Sequence, residues 1–257
     1  MTDTLALDTM PQYFYGIIRC DDDRTFAPPG IDRTQDTPVH AIARDGLAVI
    51  VSDTTKTDYD NTRRNMVSHT RVLEEIMRDY PVLPARFGTV APSEKMLVEQ
   101  VLMGRRAELE DKMHVIENRI ELGVKAFWEE GLVYNEILSE YDNIRRLRDK
   151  LRGKAPEESY YERIRLGELI EAAVEEKREQ DKALIMEALQ PLAEDVKAND
   201  IITERQILNV AFLIDTANEA AFDAAIQQLD AAQNGRIQFK YVGPVPPYNF
   251  VNIKLYI

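Results

Sequence analysis

Cysteine occurs once in the 257 residues, at Cys20, so no internal disulfide can form. That agrees with a reducing compartment, and a cytoplasmic location is expected. Glycine is sparse, at 11 residues, and there is no GxGxxG, P-loop or GxSxG pattern. Phosphate-cradling loops and a nucleophile elbow are therefore not expected. Histidine occurs only at His40, His69 and His114, none at the i, i+4 spacing of a metal helix and none beside the cysteine. No run of about eighteen apolar residues is present, which excludes a membrane-crossing helix of ordinary length. The opening MTDTLALDTMPQ lacks both a basic stretch and a long apolar stretch, so no secretory signal is expected. Basic charge is also short. Lys and Arg number 32 against 45 Asp and Glu, a formal net charge of −13. Phosphate-backbone binding needs a Lys/Arg footprint, so nucleic acid is not an expected partner.

Isolated chemistry-bearing residues read as structural. An EF-hand loop starting at Asp21-Asp22-Asp23 would need glycine sixth and glutamate twelfth, where Phe26 and Asp32 stand, so an acidic loop is the better reading. Cys20 ends a strand candidate and reads as a small apolar residue. No catalytic, cofactor-binding or metal-binding residue emerges, and the pattern weighs against an enzyme.

What is present is a large hydrophobic share, 44%, organised in recognisable elements. In the first 118 residues, YFYGIIR (13–19) is a strand candidate. VHAIARDGLAVIVSD (39–53) places Asp45-Gly46 between two apolar arms, a hairpin signal. Met66, Leu73, Ile76, Met77 and Tyr80 repeat as a helical face. Ser93 is placed to cap a helix whose later turns carry Leu109, Met113 and Ile116. A second unit, 119–243, opens with RIELGVKAFWEE, whose Ile120, Leu122, Val124, Ala126 and Trp128 alternate as in a strand. A charged helical region follows over 133–197, broken at Pro191, and its stretch 171–182 reads as a solvated helix or hairpin insertion. ILNVAFLID (207–215) reads as a buried strand. Thr216-Ala217-Asn218-Glu219 reads as a capping box for a helix carrying Phe222, Ile226 and Leu229. Asn234-Gly235 stops that helix. A strand follows, with Ile237, Phe239 and Tyr241 inward. The element order implies an α+β class with a ferredoxin-like second domain.

Two segments restrict the backbone. Val82–Val90 sets Arg86 inside an apolar stretch between Pro81, Pro84 and Phe87-Gly88, so a partly buried arginine is expected. It would serve either as an internal salt bridge between the halves or as an exposed interface. The tail 244–257 carries three prolines and then Val251, Ile253, Leu255 and Ile257 alternating with Asn252, Lys254 and Tyr256. Burying four such side chains contributes on the order of 6–10 kcal/mol, at roughly 1.5–3 each. The tail is expected to dock on its own protein, with strand addition to a partner as the alternative.

YFYGII near the start, LPARFGTV at 83–90 and GPVPPYNFV at 243–251 resemble the gas vesicle proteins of the GvpL/GvpF family, in order and spacing over nearly the whole chain. Members often carry valine at the position of Ala85, an aromatic at Val245 and serine at Asn249, which leaves F-type against L-type open. The resemblance implies two α+β domains, the second a modified ferredoxin-like fold with a variable helical region, and a C-terminal tail packed on the N-terminal domain. It implies a minor vesicle component or assembly factor at the gas vesicle. Such a protein would bind the small hydrophobic shell protein GvpA, possess no enzymatic activity or cofactor, and work with other assembly proteins. The partner surface or interdomain corner is expected at Tyr15, Pro84, Arg86, Phe87, Gly88, Pro246, Pro247, Tyr248 and Phe250. A small-molecule-binding regulatory protein on a ferredoxin-like fold is the competing reading.

Overall fold

The computed structural model describes residues 10–32, 37–251 and 253. Asn252, Lys254, Leu255, Tyr256 and Ile257 lie outside these residues. The chain forms two compact units, one from residues 1–121 with 243–257 and one from 122–242.

The first unit is built on a sheet with strand order β2-β3-β4-β1-β5. Its strands are β1 (Gln12–Arg19), β2 (Arg24–Pro29), β3 (Pro38–Arg44), β4 (Leu47–Asp53), β5 (Val82–Pro84) and the short β6 (Val90–Ala91), which also pairs with β1. The β3–β4 hairpin turns at Asp45 and Gly46, both with positive φ (53° and 87°), as a two-residue turn matched to strand twist requires. β1 carries a bulge between Phe14 and Gly16. The bulge resets the alternation, so Phe14 and Ile17 face one side of the sheet while Tyr13, Tyr15 and Ile18 face the other. Gly16 is required there, because a Cβ would stand 2.5 Å from the Leu83 carbonyl oxygen of β5.

Each face of this sheet has a cover. Helix α1 (Arg63–Met77), capped by Thr62, lays Val72, Leu73 and Ile76 on the Tyr13/Tyr15 face. The sequence puts Met66 on that inner face, but it is 46% exposed, because the buried stripe runs through Ser68 and His69 instead. The opposite face is covered by α2 (Glu94–Met96), capped by Ser93, the π-helical turn Leu97–Met103, and α3 (Arg106–Ile116). Val251 and Ile253 join this second layer. Tyr248 packs on the first, so the tail passes around the β5 edge. Ile253 forms a parallel bridge with Ala85 there.

The second unit has strand order β10-β7-β9-β8, from β7 (Arg119–Trp128), β8 (Asp195–Ala198), β9 (Gln206–Asp215) and β10 (Ile237–Val245). Its helices are α4 (Leu132–Glu140), α5 (Asp142–Leu151), α6 (Tyr160–Leu189) and α7 (Glu219–Gln233). Three expectations are corrected. Helix does not continue to 197: α6 ends at Leu189, a 3-10 turn holds Pro191, and 195–198 is the edge strand β8. The cap before α7 is Asp215, whose carboxylate accepts from Ala217 N–H and starts a 3-10 turn at Thr216, so the Thr216 capping box does not form. The stretch 171–182 is not simply solvated, because Ala173, Lys177 and Asp181 are buried. Lys177 reaches Glu136 and Glu140. Asp181 accepts from Trp128 Nε1 at 2.7 Å and pairs with Arg236, which also clasps Glu136.

Candidate interaction surface

The alternation of β1 sends Tyr13 and Tyr15 under α1, their rings 4.8 Å apart. Tyr59 meets Tyr13 edge-on at 4.9 Å, and His69 of α1 stacks on Tyr15 at 5.7 Å. Phe87 closes the group edge-on to His69 at 5.8 Å. Aromatic pairs in tilted and edge-on geometry gain from their quadrupoles beyond simple burial.

The two tyrosine hydroxyls at the centre of this group are tied to the backbone around them. Tyr13 Oη accepts from Gly88 N–H at 3.1 Å, which leaves its own proton for His69 Nδ1 at 3.0 Å. Tyr15 Oη accepts from Ile31 N–H at 2.7 Å and meets Ser52 Oγ at 3.1 Å. Burial pushes the Tyr13 phenol far above its ordinary value and that of Tyr15 up to about 12. The same desolvation pushes His69 down to about 4, against a smaller opposing pull from the Ala85 carbonyl. All three groups are neutral near pH 7, so the cluster orders backbone rather than moving protons.

Of the sequence-predicted residues, Tyr15, Phe87, Gly88 and Tyr248 come together in or beside this cluster. Pro84 is buried in β5, and its carbonyl accepts from Ile253 N–H. Pro246 and Pro247 are buried, and their carbonyls accept from Tyr248, Phe250 and Val251 N–H groups in a tight turn. Phe250 is half-buried. Arg86 departs from expectation. It is exposed, and among the described residues its guanidinium forms no ion pair. Its carbonyl instead closes the corner, accepting from Thr89 N–H and Oγ1.

Sequence reasoning missed Tyr13, Tyr59, His69 and Glu121. Tyr13 was within reach, two positions before Tyr15 on the same strand face. Glu121 was not, since it occupies the polar side of the β7 alternation, yet it is 4% exposed. It accepts from both N–H and Nδ2 of Asn249, at 2.8 and 2.6 Å, and so grips the tail turn. Burial holds its carboxyl above the usual range, and the Asn249 bonds offset part of that.

Among the described residues there is no group of three or more His, Cys, Asp or Glu placed to hold a metal, and no helix is long and apolar enough to cross a membrane. Asp23 spends its carboxylate on Ala43 N–H, at 2.7 Å, within the acidic loop.

These residues define a mixed helix-and-sheet protein whose ordered corner is built from aromatic packing. A sequence profile described as "Gas vesicle synthesis protein GvpL/GvpF" matches residues 11–252. Gas vesicle protein F of Nostoc sp. strain PCC 7120 is 31% identical, across 94% of this chain and 98% of that protein. Gas vesicle protein F of Streptomyces sp. strain CB03234 is also 31% identical, across 94% of this chain and all of its own length (100%). The crystal structure of GvpF from Anabaena sp. PCC7120 superposes with a TM-score of 0.84 at 30% identity, covering 96% of this chain and 100% of that one. The chain belongs to the GvpL/GvpF family and has a role in gas vesicle formation.

Proposed function

We propose that the protein binds the hydrophobic shell protein GvpA and limits its aggregation while a vesicle nucleates. Docking is on the first unit, beside the Arg86-Phe87 corner. The observation that carries this reading is a pair of exposed apolar side chains, Met66 at 46% and Val67 at 55%, on the outer side of α1. They lie just before His69, which packs against Phe87 under that corner. A preorganised, partly apolar surface on a strongly anionic body suits a partner with a greasy face, because the net charge opposes self-association of the complex. The tail shapes this surface from beneath. Its described residues are bonded into their own unit, which speaks against donating them as a strand to a partner.

The proposal includes the two-domain architecture that the resemblance implied, with the bounds expected from the residues: domains at 1–118 and 119–243 and a tail at 244–257. Supporting a modified ferredoxin-like second domain are the order β7, helices, β8, β9, α7, β10 and the spatial order β10-β7-β9-β8. An F-type protein is favoured, since the two relatives at 31% identity both carry that name. A cytoplasmic site of action accompanies this reading.

Co-expression with tagged GvpA tests it. The full chain should co-purify with GvpA, and Met66→Glu with Val67→Glu should remove that while leaving the melting temperature unchanged. Equal recovery of the variant would overturn the docking site.

A further inference from the structure

One short stretch of the second unit carries a charge pattern opposite to that of the whole chain. Between residues 142 and 154 there are six basic residues, Arg145, Arg146, Arg148, Lys150, Arg152 and Lys154, against two acids, Asp142 and Asp149. The chain as a whole has a net charge of −13. The local carboxylates are shared out thinly. Asp142 serves both Arg145 and Arg146, Glu162 of α6 serves both Lys150 and Lys154, and Asp149 serves Arg148. Glu157 and Glu158 in the connecting turn do not restore the balance.

Two guanidinium groups are left for something else. Arg152 is exposed, and no carboxylate among the described residues pairs with it. Arg163 is held by neutral groups alone, through Ser159 Oγ at 2.9 Å and the Lys154 carbonyl at 3.2 Å. Both line a cavity of about 490 Å³, together with Leu151, Leu166 and the Arg148–Asp149 ion pair. A guanidinium fixed by neutral acceptors keeps its full charge and a set orientation for an incoming carboxylate.

Beside it, α6 exposes apolar surface. Tyr160 is 60% exposed, Tyr161 84% and Ile164 44%, and the two tyrosine rings meet edge-on at 5.5 Å. Tyr160 and Ile164 are one helical turn apart, and Arg163 lies between them in sequence. Arginine and tyrosine are enriched where interface energy concentrates.

We propose that this corner of α5 and α6 is a docking site for an acidic peptide segment of a partner protein, its carboxylates taken by Arg152 and Arg163 and its aliphatic side chains lying on Tyr160, Tyr161 and Ile164. The occupant is chosen by charge complementarity: the protein as a whole is anionic, whereas this stretch carries more basic than acidic residues. The site is separate from the α1 surface, and its success or failure leaves the GvpA reading untouched.

The probe is a fluorescent peptide of roughly 16 residues, about 24 Å as a helix, with Glu and Leu at helical spacing. It is titrated into the full-length protein at low salt. Saturable binding is expected, weakening as salt rises. The charge-reversed pair Arg152→Glu with Arg163→Glu should weaken it about tenfold or more, since attraction becomes repulsion. Tyr161→Ser should weaken it several-fold, and replacing Glu by Gln in the peptide should abolish it. Should the double reversal lower the melting temperature, Arg152→Gln alone is read in its place. The proposal is overturned by absence of binding, by equal binding of the Gln peptide, or by variants that bind as the parent does. It is equally overturned if inorganic phosphate displaces the peptide while Tyr161→Ser has no effect, which would make the cavity a small-anion site.

Discussion

The two units close their interiors by different physics. In the first, chiefly neutral groups meet: tyrosine hydroxyls, one neutral histidine and aliphatic side chains around a sheet covered on both faces, with Asp32 and Glu121 as the buried acids. In the second, the long helix α6 is held partly by charge, with Lys177 and Asp181 buried along it and Arg236 of the strand-entry turn bridging Asp181 and Glu136. Ion pairs of this kind fix geometry more than they add stability, because desolvation offsets much of the attraction. The difference predicts that the units respond differently to truncation, charge removal and pH.

The largest effect should come from truncation after Gly243. It removes buried Pro246, Pro247, Val251 and Ile253 and the largely buried Tyr248, and should cost the first unit on the order of 5–8 kcal/mol by area of apolar burial. Chemical denaturation should show loss of that unit's transition. Next, Asp181→Ala leaves Arg236 with one partner fewer and the Trp128 N–H with none, so the second unit should lose about 3 kcal/mol. If Asp181→Ala melts like the parent, the ion pairs are not what holds α6.

The third effect is a pH dependence confined to the first unit. Unfolded His69 takes a proton near 6.5 and folded His69 only near 4, so its contribution is complete above 6.5 and is lost as pH falls between those values. The loss amounts to about 3 kcal/mol over that window. Glu121, held above the usual carboxyl range, acts in the opposite sense as pH falls toward 4.5. Glu136 of the second unit, held below its usual range chiefly by its bond to Arg236, gives up its stabilisation only below about 4.5. Melting followed from pH 7 to 5 should therefore weaken the first unit first, and His69→Gln should flatten the slope. Smaller still, Tyr13→Phe strands Gly88 N–H and should cost about 1–2 kcal/mol in denaturant titration.

The same contrast explains what could be read from the residues alone. Elements whose burial follows a simple period were legible. The Asp45-Gly46 hairpin, the β7 alternation and the Leu109–Met113–Ile116 stripe rest on local geometry and apolar spacing. Charged residues buried by pairing across the fold were not, since Lys177 and Asp181 look solvated until Glu136 and Arg236 arrive from sequences far away. The edge strands β2 and β8 were missed for a related reason. RTFAPP and DVKA are short, polar or proline-rich, as exposed edges tend to be. In the candidate surface, Phe87, Gly88 and Tyr248 were marked by their rarity of pattern. Arg86 was expected to be partly buried, because an arginine in an apolar stretch says nothing of which way the chain turns. The corner at Arg86–Thr89 turns it outward.

The central claim, that the first unit presents a surface for GvpA, is tested most directly by light scattering of GvpA diluted from denaturant. Equimolar full-length protein should suppress scattering, and the Met66→Glu, Val67→Glu form, equally folded, should not. Unchanged scattering with the parent protein, or equal suppression by the variant, would contradict the account.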